Sequence, residues 1–302
     1  MLTLKQLRDD KEAAVRRLAK KGVDARPVID RIEQLEDRRK ALQQELDNCL
    51  SQQNQAAKMI GALMGQGKRD EAEAKKAEVA ALKEKSVKLS AEMKQTADAL
   101  QAEIVLLPNF PAEIVPEGTS AEDNLVVKLV ENYTPLPAEA LPHWELAKKY
   151  DIIDFDLGVK LTGAGFPVYK GKGARLQRAL INYFLDYNTR AGYQEVEPPV
   201  MVNEASGFGT GQLPDKEGQM YHATVDNFYL VPTAEVPVTN IFRDVILDEK
   251  DFPVKMTAYT PCFRREAGSY GKDVRGLNRL HQFDKVEIVR LSLPDDSYEA
   301  LD

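Results

Sequence analysis

TPCFRREAGSYGKDVRGLNRLHQFDKVEI, residues 260–288, is the stretch that decides the fold of this 302-residue chain. Residue types alternate along its two ends, which predicts two extended strands, because successive residues of a strand face opposite sides of a sheet. Glycines between the ends release the backbone, so the stretch predicts a β-hairpin with a long loop. The residues predicted to lie at spacing two along its ends are Cys262, Arg264, Glu266, Phe283, Lys285 and Glu287.

The predicted face carries groups suited to a nucleotide and an amino acid. The planar donors of the Arg264 guanidinium match phosphate oxygens, and the Phe283 ring can stack on a base. The carboxylates of Glu266 and Glu287 can hold an ammonium or a hydroxyl. Taken alone, a short R-x-E on a strand more often belongs to an exposed hairpin with ordinary surface ion pairs, because short motifs match easily by chance.

The order of residues along nearly the whole stretch resembles the second signature motif of class II aminoacyl-tRNA synthetases, in its seryl-tRNA synthetase form. The matching segments are F-R-x-E, A-G-S-Y-G-K-D-V-R-G-L and R-x-H-Q-F-x-K-V-E. The resemblance implies an α+β chain whose catalytic domain is built on an antiparallel sheet. It also implies a serine–tRNA ligase, which forms seryl-adenylate from L-serine and ATP and transfers serine to the 3′ end of tRNA(Ser).

The resemblance assigns roles to residues of the hairpin. Arg264 and Glu266 match the catalytic pair, with Arg264 on the α-phosphate and the serine carboxylate and Glu266 on the nucleotide. Leu280 and Phe283 complete the ATP site, with Phe283 stacked on adenine. Glu287 accepts a hydrogen bond from the serine hydroxyl.

A second segment, F-Y-L-V-P-T-A-E-V-P-V-T-N at 228–240, resembles the serine-binding T-x-E segment of the family. Thr233 and Glu235 are the matching residues. A free amino acid carries an ammonium that needs a carboxylate, and Glu235 lies between apolar runs, an odd place for a solvated charge. Without the resemblance, Glu235 would be interpreted as an exposed strand residue.

The loop 269–279 is expected to approach the acceptor end of the tRNA. Its cationic side chains Lys272, Arg275 and Arg279 are suited to phosphate contacts. Arg265 departs from the family pattern, in which many relatives carry a small residue at that position. On an extended strand Arg265 faces away from Arg264, so this departure has little effect on the site residues that the resemblance implies.

Composition limits the partners, the metal sites and the compartment that can be expected for the chain. The net charge of −7 argues against indiscriminate nucleic-acid binding, so contacts with RNA must come from local patches. Two cysteines indicate a reducing compartment, for which we predict the cytoplasm, and the few Cys and His residues show no zinc-ligand spacing. No apolar run reaches membrane-spanning length. We therefore predict no membrane partner and no metal ligand among the site residues.

The N-terminal part is predicted to be helical. Residues 4–20 form an amphipathic pattern, and apolar residues recur at steps of three and four along 28–49 and again along 79–100. Glycines interrupt the pattern between 60 and 69. We predict an antiparallel coiled-coil hairpin with arms of about 45 Å. A coiled coil that pairs two chains is the alternative, and the family resemblance implies a tRNA-binding arm that grips the extra arm of tRNA(Ser).

These patterns predict three regions: a helical arm at 1–107, a proline-rich linker at 108–124 and a catalytic core at 125–302. Within the core, an amphipathic helix at 173–187 precedes a strand interrupted by Pro198 and Pro199, which suggest an edge or a break. The helix and strand resemble the first class II motif, with Pro199 at the motif proline. The resemblance implies that residues 173–199 form the interface of a homodimer.

The third motif of the family has no match in these 302 residues. We therefore expect the sequence to be an N-terminal portion of the enzyme that is inactive by itself. ATP and Mg²⁺ are the implied cofactors, with the metal ligands expected in the remaining portion.

Two other functions are compatible with parts of the pattern. A synthetase-like paralogue could activate an amino acid for a carrier protein or act in regulation, although such relatives generally lack a long arm. A coiled-coil scaffold without catalysis would require the hairpin residues to be accidental. Serine-dependent ATP–pyrophosphate exchange and charging of tRNA(Ser) separate these functions from the first.

Overall fold

The computed structural model describes residues 2–266 and 275–301. The chain divides into two compact units, Met1–Glu131 and Asn132–Asp302. The first contains a long helical hairpin and the second contains mainly antiparallel sheets, so the predicted α+β architecture is confirmed. The regional boundaries at 107 and 124 stay a prediction.

The first unit begins with two short helices, α1 (Leu4–Arg8) and α2 (Lys11–Ala19). The prediction of one helix over 4–20 is therefore wrong. Asp10 separates the two helices because its backbone is not helical, and its carboxylate accepts a hydrogen bond from the Ala13 N–H at 2.8 Å. An aspartate in this role satisfies a free donor at a helix start, which favours beginning a new helix there.

The coiled-coil hairpin consists of α3 (Arg26–Gly65) and α4 (Arg69–Ile104). Helix α3 continues through Gly61, one of the glycines that were expected to interrupt it, and ends at Gly65, because an interior glycine costs a helix only about 1 kcal/mol. The turn is confined to residues 66–68. Gly67 lies there at φ +76°, a left-handed conformation that glycine adopts without steric cost.

Apolar residues of both helices form the seam of the hairpin. Leu42, Leu46 and Cys49 of α3 are buried with Leu89 of α4. Glu36 is also buried in this hairpin, where the Arg39 guanidinium donates to its carboxylate at 2.7 Å and lowers the pKa of Glu36. The antiparallel register is marked by ion pairs between the two helices, which are Arg31–Glu103 and Arg38–Glu92.

The two ends of the hairpin meet in a separate core at its base. Ile29 and Ile32 of α3 pack there with Leu100 and Ile104 of α4, together with buried residues of α1 and α2. The base is therefore a packed structure in its own right, distinct from the seam farther along the hairpin.

The described residues of the second unit form three sheets, ordered β1–β2, β3–β7–β8 and β4–β6–β5. Its elements in chain order are α5 (His143–Lys149), β1 (Ile153–Asp154), α6 (Phe155–Leu161), β2 (Val168–Tyr169), α7 (Gly171–Arg190), β3 (Gln194–Glu195), β4 (Met201–Asn203), α8 (Glu204–Gly209), β5 (His222–Ala223), β6 (Phe228–Leu230), α9 (Glu235–Asn240), β7 (Val254–Phe263), β8 (Gln282–Leu291) and α10 (Ser297–Leu301). Short 3₁₀ turns add Ala121–Asp123 in the first unit and Glu249–Asp251 and Pro294–Asp296 in the second.

The predicted hairpin is present as the antiparallel pair β7–β8, with Cys262 opposite Phe283 and Ala258 opposite Glu287. The interior of β7 is largely buried, and Met256 and Ala258 pack against Ala234 in the core. The prolines at 198 and 199 separate β3 from β4, which agrees with the predicted break. Strand β3 pairs with β7 in parallel, so the central sheet is mixed.

Helix α7 is joined to the central sheet by two polar contacts. Gln177 donates to Asp284, and the Asn188 amide donates to the Thr257 hydroxyl at 2.9 Å. Five of its large apolar residues are nevertheless each about half exposed in the single chain; they are Leu176, Leu180, Tyr183, Phe184 and Tyr187. Among the described residues, no helix is both long enough and apolar enough to cross a bilayer.

Candidate active site

A cluster of polar groups joins the middle of β8 to the segment that precedes α9. The Thr233 hydroxyl donates to Glu287 Oε2 at 2.5 Å, and the Glu235 backbone N–H donates to the same oxygen at 3.1 Å. The Lys285 ammonium lies 2.9 Å from Glu287 Oε1 and 3.0 Å from the Thr233 oxygen. Four residues from two distant parts of the chain therefore meet around one carboxylate.

The surroundings of the predicted serine-site residues differ. Thr233 is buried, and the Glu287 side chain is 16% exposed. Glu235 is exposed and begins α9, so its interpretation as a strand residue is wrong. The Glu235 backbone N–H donates to Glu287, and the residue as a whole is exposed.

Sequence reasoning gave no role to Lys285, although its ammonium lies at the centre of the cluster. The alternation along the sequence does indicate its position, because Lys285 lies between Phe283 and Glu287 at spacing two and therefore on the same face of β8. What the sequence did not contain was the position of Thr233, which is 52 residues away along the chain.

Arg264 and Phe283 form the next part of the site. The Arg264 guanidinium carbon lies 5.2 Å from the centre of the Phe283 ring, and Nε donates to the Pro232 carbonyl at 3.3 Å. The Arg264 backbone N–H donates to the His281 carbonyl at 3.0 Å, which extends the β7–β8 pairing beyond the strand ends. A cation and an aromatic ring are thus held side by side, next to the Thr233 segment.

Glu266 and Leu280 lie just beyond the paired strands. Glu266 has a backbone φ of +49°, and its side chain is 13% exposed. The Arg279 guanidinium approaches its carboxylate at 3.5 Å, and Leu280 is buried. All four residues predicted for ATP, which include Arg264 and Phe283, are therefore grouped at the same end of the hairpin.

The three cations predicted for the tRNA acceptor end have different outcomes. Lys272 lies outside the described residues. Arg279 pairs with Glu266, and Arg275 lies over the Trp144 ring with Glu145 nearby. Both described arginines therefore have protein partners in the absence of RNA.

Burial raises the pKa of two groups of the hairpin. Tyr259 lies on the reverse side, whereas Cys262 is paired with Phe283 and lies on the side of the site. The Tyr259 hydroxyl donates to Asp284 at 2.5 Å, and burial, together with this carboxylate, raises the pKa of Tyr259. Burial also raises the pKa of the Cys262 thiol, which disfavours the nucleophilic thiolate. Within residues 2–266 and 275–301, no group of three His, Cys, Asp or Glu side chains is arranged to hold a metal ion.

Comparisons with known proteins agree with this arrangement. Residues 1–111 match the model of the seryl-tRNA synthetase N-terminal domain, and residues 220–302 match that of the tRNA synthetase class II core domain (G, H, P, S and T). Serine–tRNA ligases from Salinibacter ruber and Nautilia profundicola are 48% and 45% identical to the chain. The alignments cover the whole chain and 71% and 72% of those relatives.

Solved structures show the same fold. A seryl-tRNA synthetase from Pyrococcus horikoshii, complexed with ATP, superposes with a TM-score of 0.83 at 27% identity, over 99% of this chain and 71% of that one. A cytoplasmic serine–tRNA ligase from Naegleria fowleri, in complex with AMP, gives a TM-score of 0.78 at 22% identity, over 100% and 73%. With the extensive identity to the bacterial ligases, these results show that the chain belongs to the seryl-tRNA synthetase family.

Proposed function

We propose that the protein is a serine–tRNA ligase that forms seryl-adenylate from L-serine and ATP and then transfers serine to the 3′ end of tRNA(Ser). The observation that carries the proposal is the cluster of Thr233, Lys285 and Glu287 beside the Arg264–Phe283 pair. Serine-dependent ATP–pyrophosphate exchange and charging of tRNA(Ser), measured with the full-length protein, test the two steps. Exchange that does not depend on serine would contradict it.

In the first step, a serine carboxylate oxygen attacks the α-phosphorus of ATP. The bond from the α-phosphorus to the bridging oxygen breaks, and pyrophosphate leaves with that electron pair, so AMP is released when serine is later transferred. Both reactants are anions, and catalysis therefore depends on positioning and on neutralising charge. Arg264 supplies a cation for the α-phosphate and the carboxylate, and no covalent protein nucleophile takes part.

The nucleotide is held at the end of the β7–β8 hairpin. Phe283 stacks on adenine, Glu266 contacts the nucleotide, and Leu280 forms an apolar wall. The side-by-side arrangement of Arg264 and Phe283 supports a ligand that presents a phosphate and a base together. Mg²⁺ would offset the charge of the phosphates, and we expect its protein ligands outside residues 1–302.

Serine is bound by Thr233, Glu235 and Glu287. Glu287 accepts a hydrogen bond from the serine hydroxyl, while the Glu235 carboxylate takes the ammonium. Lys285 and Thr233 hold Glu287 in place. Alanine and glycine lack the hydroxyl and leave this poorly exposed carboxylate without that partner, which provides discrimination.

The remaining contacts serve tRNA(Ser) and dimer formation. The arm formed by α3 and α4 binds the extra arm of the tRNA, and Lys272, Arg275 and Arg279 meet its acceptor end. Residues 173–199 form the homodimer interface, a role supported by the exposed apolar residues along α7. The two free, buried cysteines are compatible with a cytoplasmic protein.

We predict that Glu287→Ala in the full-length protein lowers kcat/KM for serine by roughly 30- to 150-fold, equivalent to about 2–3 kcal/mol, because a charged hydrogen-bond acceptor is lost. ATP use should change far less. Exchange kinetics with each substrate varied in turn measure both effects. Glu249→Ala, which changes an exposed carboxylate in a 3₁₀ turn, is the control. Equal losses for serine and ATP would count against the assignment.

We predict that replacing residues 39–91 with a short Gly–Ser linker spares adenylate formation and removes efficient tRNA charging. The boundaries keep the core at the base of the hairpin, and the Arg38–Glu92 pair places the two cut ends near each other. Exchange and charging are measured on the same preparation. Charging at the normal rate would remove the arm from tRNA recognition.

We predict that Phe184→Glu converts a dimer to a monomer, because it places a charge within the exposed apolar residues of α7. Sedimentation velocity over a concentration series measures the change. Leu161→Glu is the matched control, since Leu161 is an exposed apolar residue of α6 in the same unit. A monomeric wild-type protein, or equal effects of both changes, would contradict the proposed interface.

We predict that residues 1–302 alone do not catalyse serine-dependent exchange. Among the described residues, β8 is paired with β7 alone, and Ile288 on β8 is about half exposed. The strand that carries Phe283 and Glu287 is therefore less firmly held than a strand paired on both sides. Exchange assayed on the purified chain checks this, and robust activity would mean that the catalytic groups have been misplaced.

A further inference from the structure

Three consecutive residues ahead of β8 contact three consecutive residues at the start of α5. The Leu277 N–H donates to His143 Nε2 at 2.8 Å. The Arg275 guanidinium carbon lies 4.7 Å from the centre of the Trp144 ring, and Nη2 lies 3.7 Å from Glu145 Oε1. The hydrogen bond joins residues 134 positions apart, so it is a tertiary contact with no local origin.

The residue between the two contacting positions fits this arrangement closely. Gly276 has a φ of +71°, and a Cβ at this position would lie 2.2 Å from His143 Nε2. Any side chain would therefore displace the imidazole, and an L-residue would also strain the backbone. His143 packs edge-on against Trp144, with ring centres 4.9 Å apart, so the imidazole is braced from a second side.

The strengths of the three contacts are unequal. The Arg275–Glu145 pair is 63% and 46% exposed and contributes little, because water screens exposed ion pairs. The ring contact of Arg275 and the hydrogen bond to His143 do more, since the first is largely a contact with an aromatic face and the second satisfies a backbone donor. His143 is consequently the residue whose loss should release the segment.

The contacting segment leads directly into the proposed ATP site. Arg279 follows Leu277 by two residues, and its guanidinium lies 3.5 Å from Glu266. At position 281 the backbone is fixed again, where the His281 N–H donates to the Gly165 carbonyl at 2.8 Å. Arg279 therefore lies between two segments that are held by tertiary contacts, one at 275–277 and one at 281.

We propose that residues 143–145 are a docking segment for residues 275–277, and that His143 is a positioning residue for the Arg279–Glu266 pair. The docking segment fixes the backbone at Leu277, two residues before Arg279. The Arg279 guanidinium in turn holds the Glu266 carboxylate, which is assigned to the nucleotide. The proposal rests on the function proposed above. It assigns the start of α5 an indirect role in ATP binding, through Arg279 and Glu266.

The first test is steady-state exchange in the full-length protein. His143→Ala should raise the KM for ATP by roughly three- to tenfold, the range expected for one lost hydrogen bond, and leave the KM for serine unchanged. His143→Gln should restore the KM, because its amide oxygen can accept the Leu277 N–H. His222→Ala is the control, since His222 bonds Asn227 on the β5–β6 hairpin. Equal increases for ATP and serine would overturn the proposal.

The second test locates the effect at the contact itself. Gly276→Ala disrupts the same contact, because the added Cβ would displace the His143 imidazole. The increases in the KM for ATP caused by Gly276→Ala and His143→Ala should therefore not add in the double variant. Trp144 is the chain's sole tryptophan, and its quenching by acrylamide should rise in both variants, with any tryptophan outside residues 1–302 replaced by phenylalanine. Additive effects on the KM, or unchanged quenching in both variants, would overturn the proposal. A wild-type protein without exchange activity would refute the proposed function, while quenching would still decide whether the docking contact exists.

Discussion

The pairing of β7 with β8 is the constraint on which the rest of the second unit depends. A shift of the β7–β8 register by one residue would turn Phe283, Lys285 and Glu287 to the opposite face and remove their side chains from the site. The register is held from several directions. Thr257 donates to the Glu287 carbonyl at 2.9 Å, and Tyr259 and Gln177 both donate to Asp284 on the reverse side. The groups that fix the strand are therefore separate from the groups that face the ligand.

The second half of the site is positioned by the hydrophobic core. Thr233 lies between fully buried residues, with Val231 on one side and Ala234 and Val236 on the other. The Phe263 N–H donates to the Val231 carbonyl at 2.9 Å, which ties this segment to the end of β7. A short polar segment is thus anchored at both ends by burial, which explains how a non-repetitive stretch can hold a hydroxyl in a fixed place.

Patterns that repeat locally were readable from the sequence. The heptads predicted the α3–α4 hairpin and the alternation at spacing two predicted the β7–β8 pair, because each period follows from the geometry of one element. Contacts between distant segments could not be predicted from the sequence. Examples are the contact of Lys285 with Thr233 and that of Leu277 with His143. Helix ends were also predicted incorrectly, since the Asp10 cap divides one predicted helix and α3 continues past Gly61. The family resemblance supplied the candidate site residues, but their mutual geometry came from the fold.

The charges within the cluster bear on how an amino acid would be oriented. Serine brings one ammonium, and Glu235 and Glu287 are the two carboxylates proposed to receive it or the hydroxyl. Glu287 already accepts from the Lys285 ammonium and from two further donors, so a second ammonium there would be repelled by Lys285 at close range. Glu235 is an exposed residue, and only its backbone N–H contacts Glu287. The arrangement therefore favours the ammonium at Glu235 and the hydroxyl at Glu287, which is the orientation in which a missing hydroxyl is most costly.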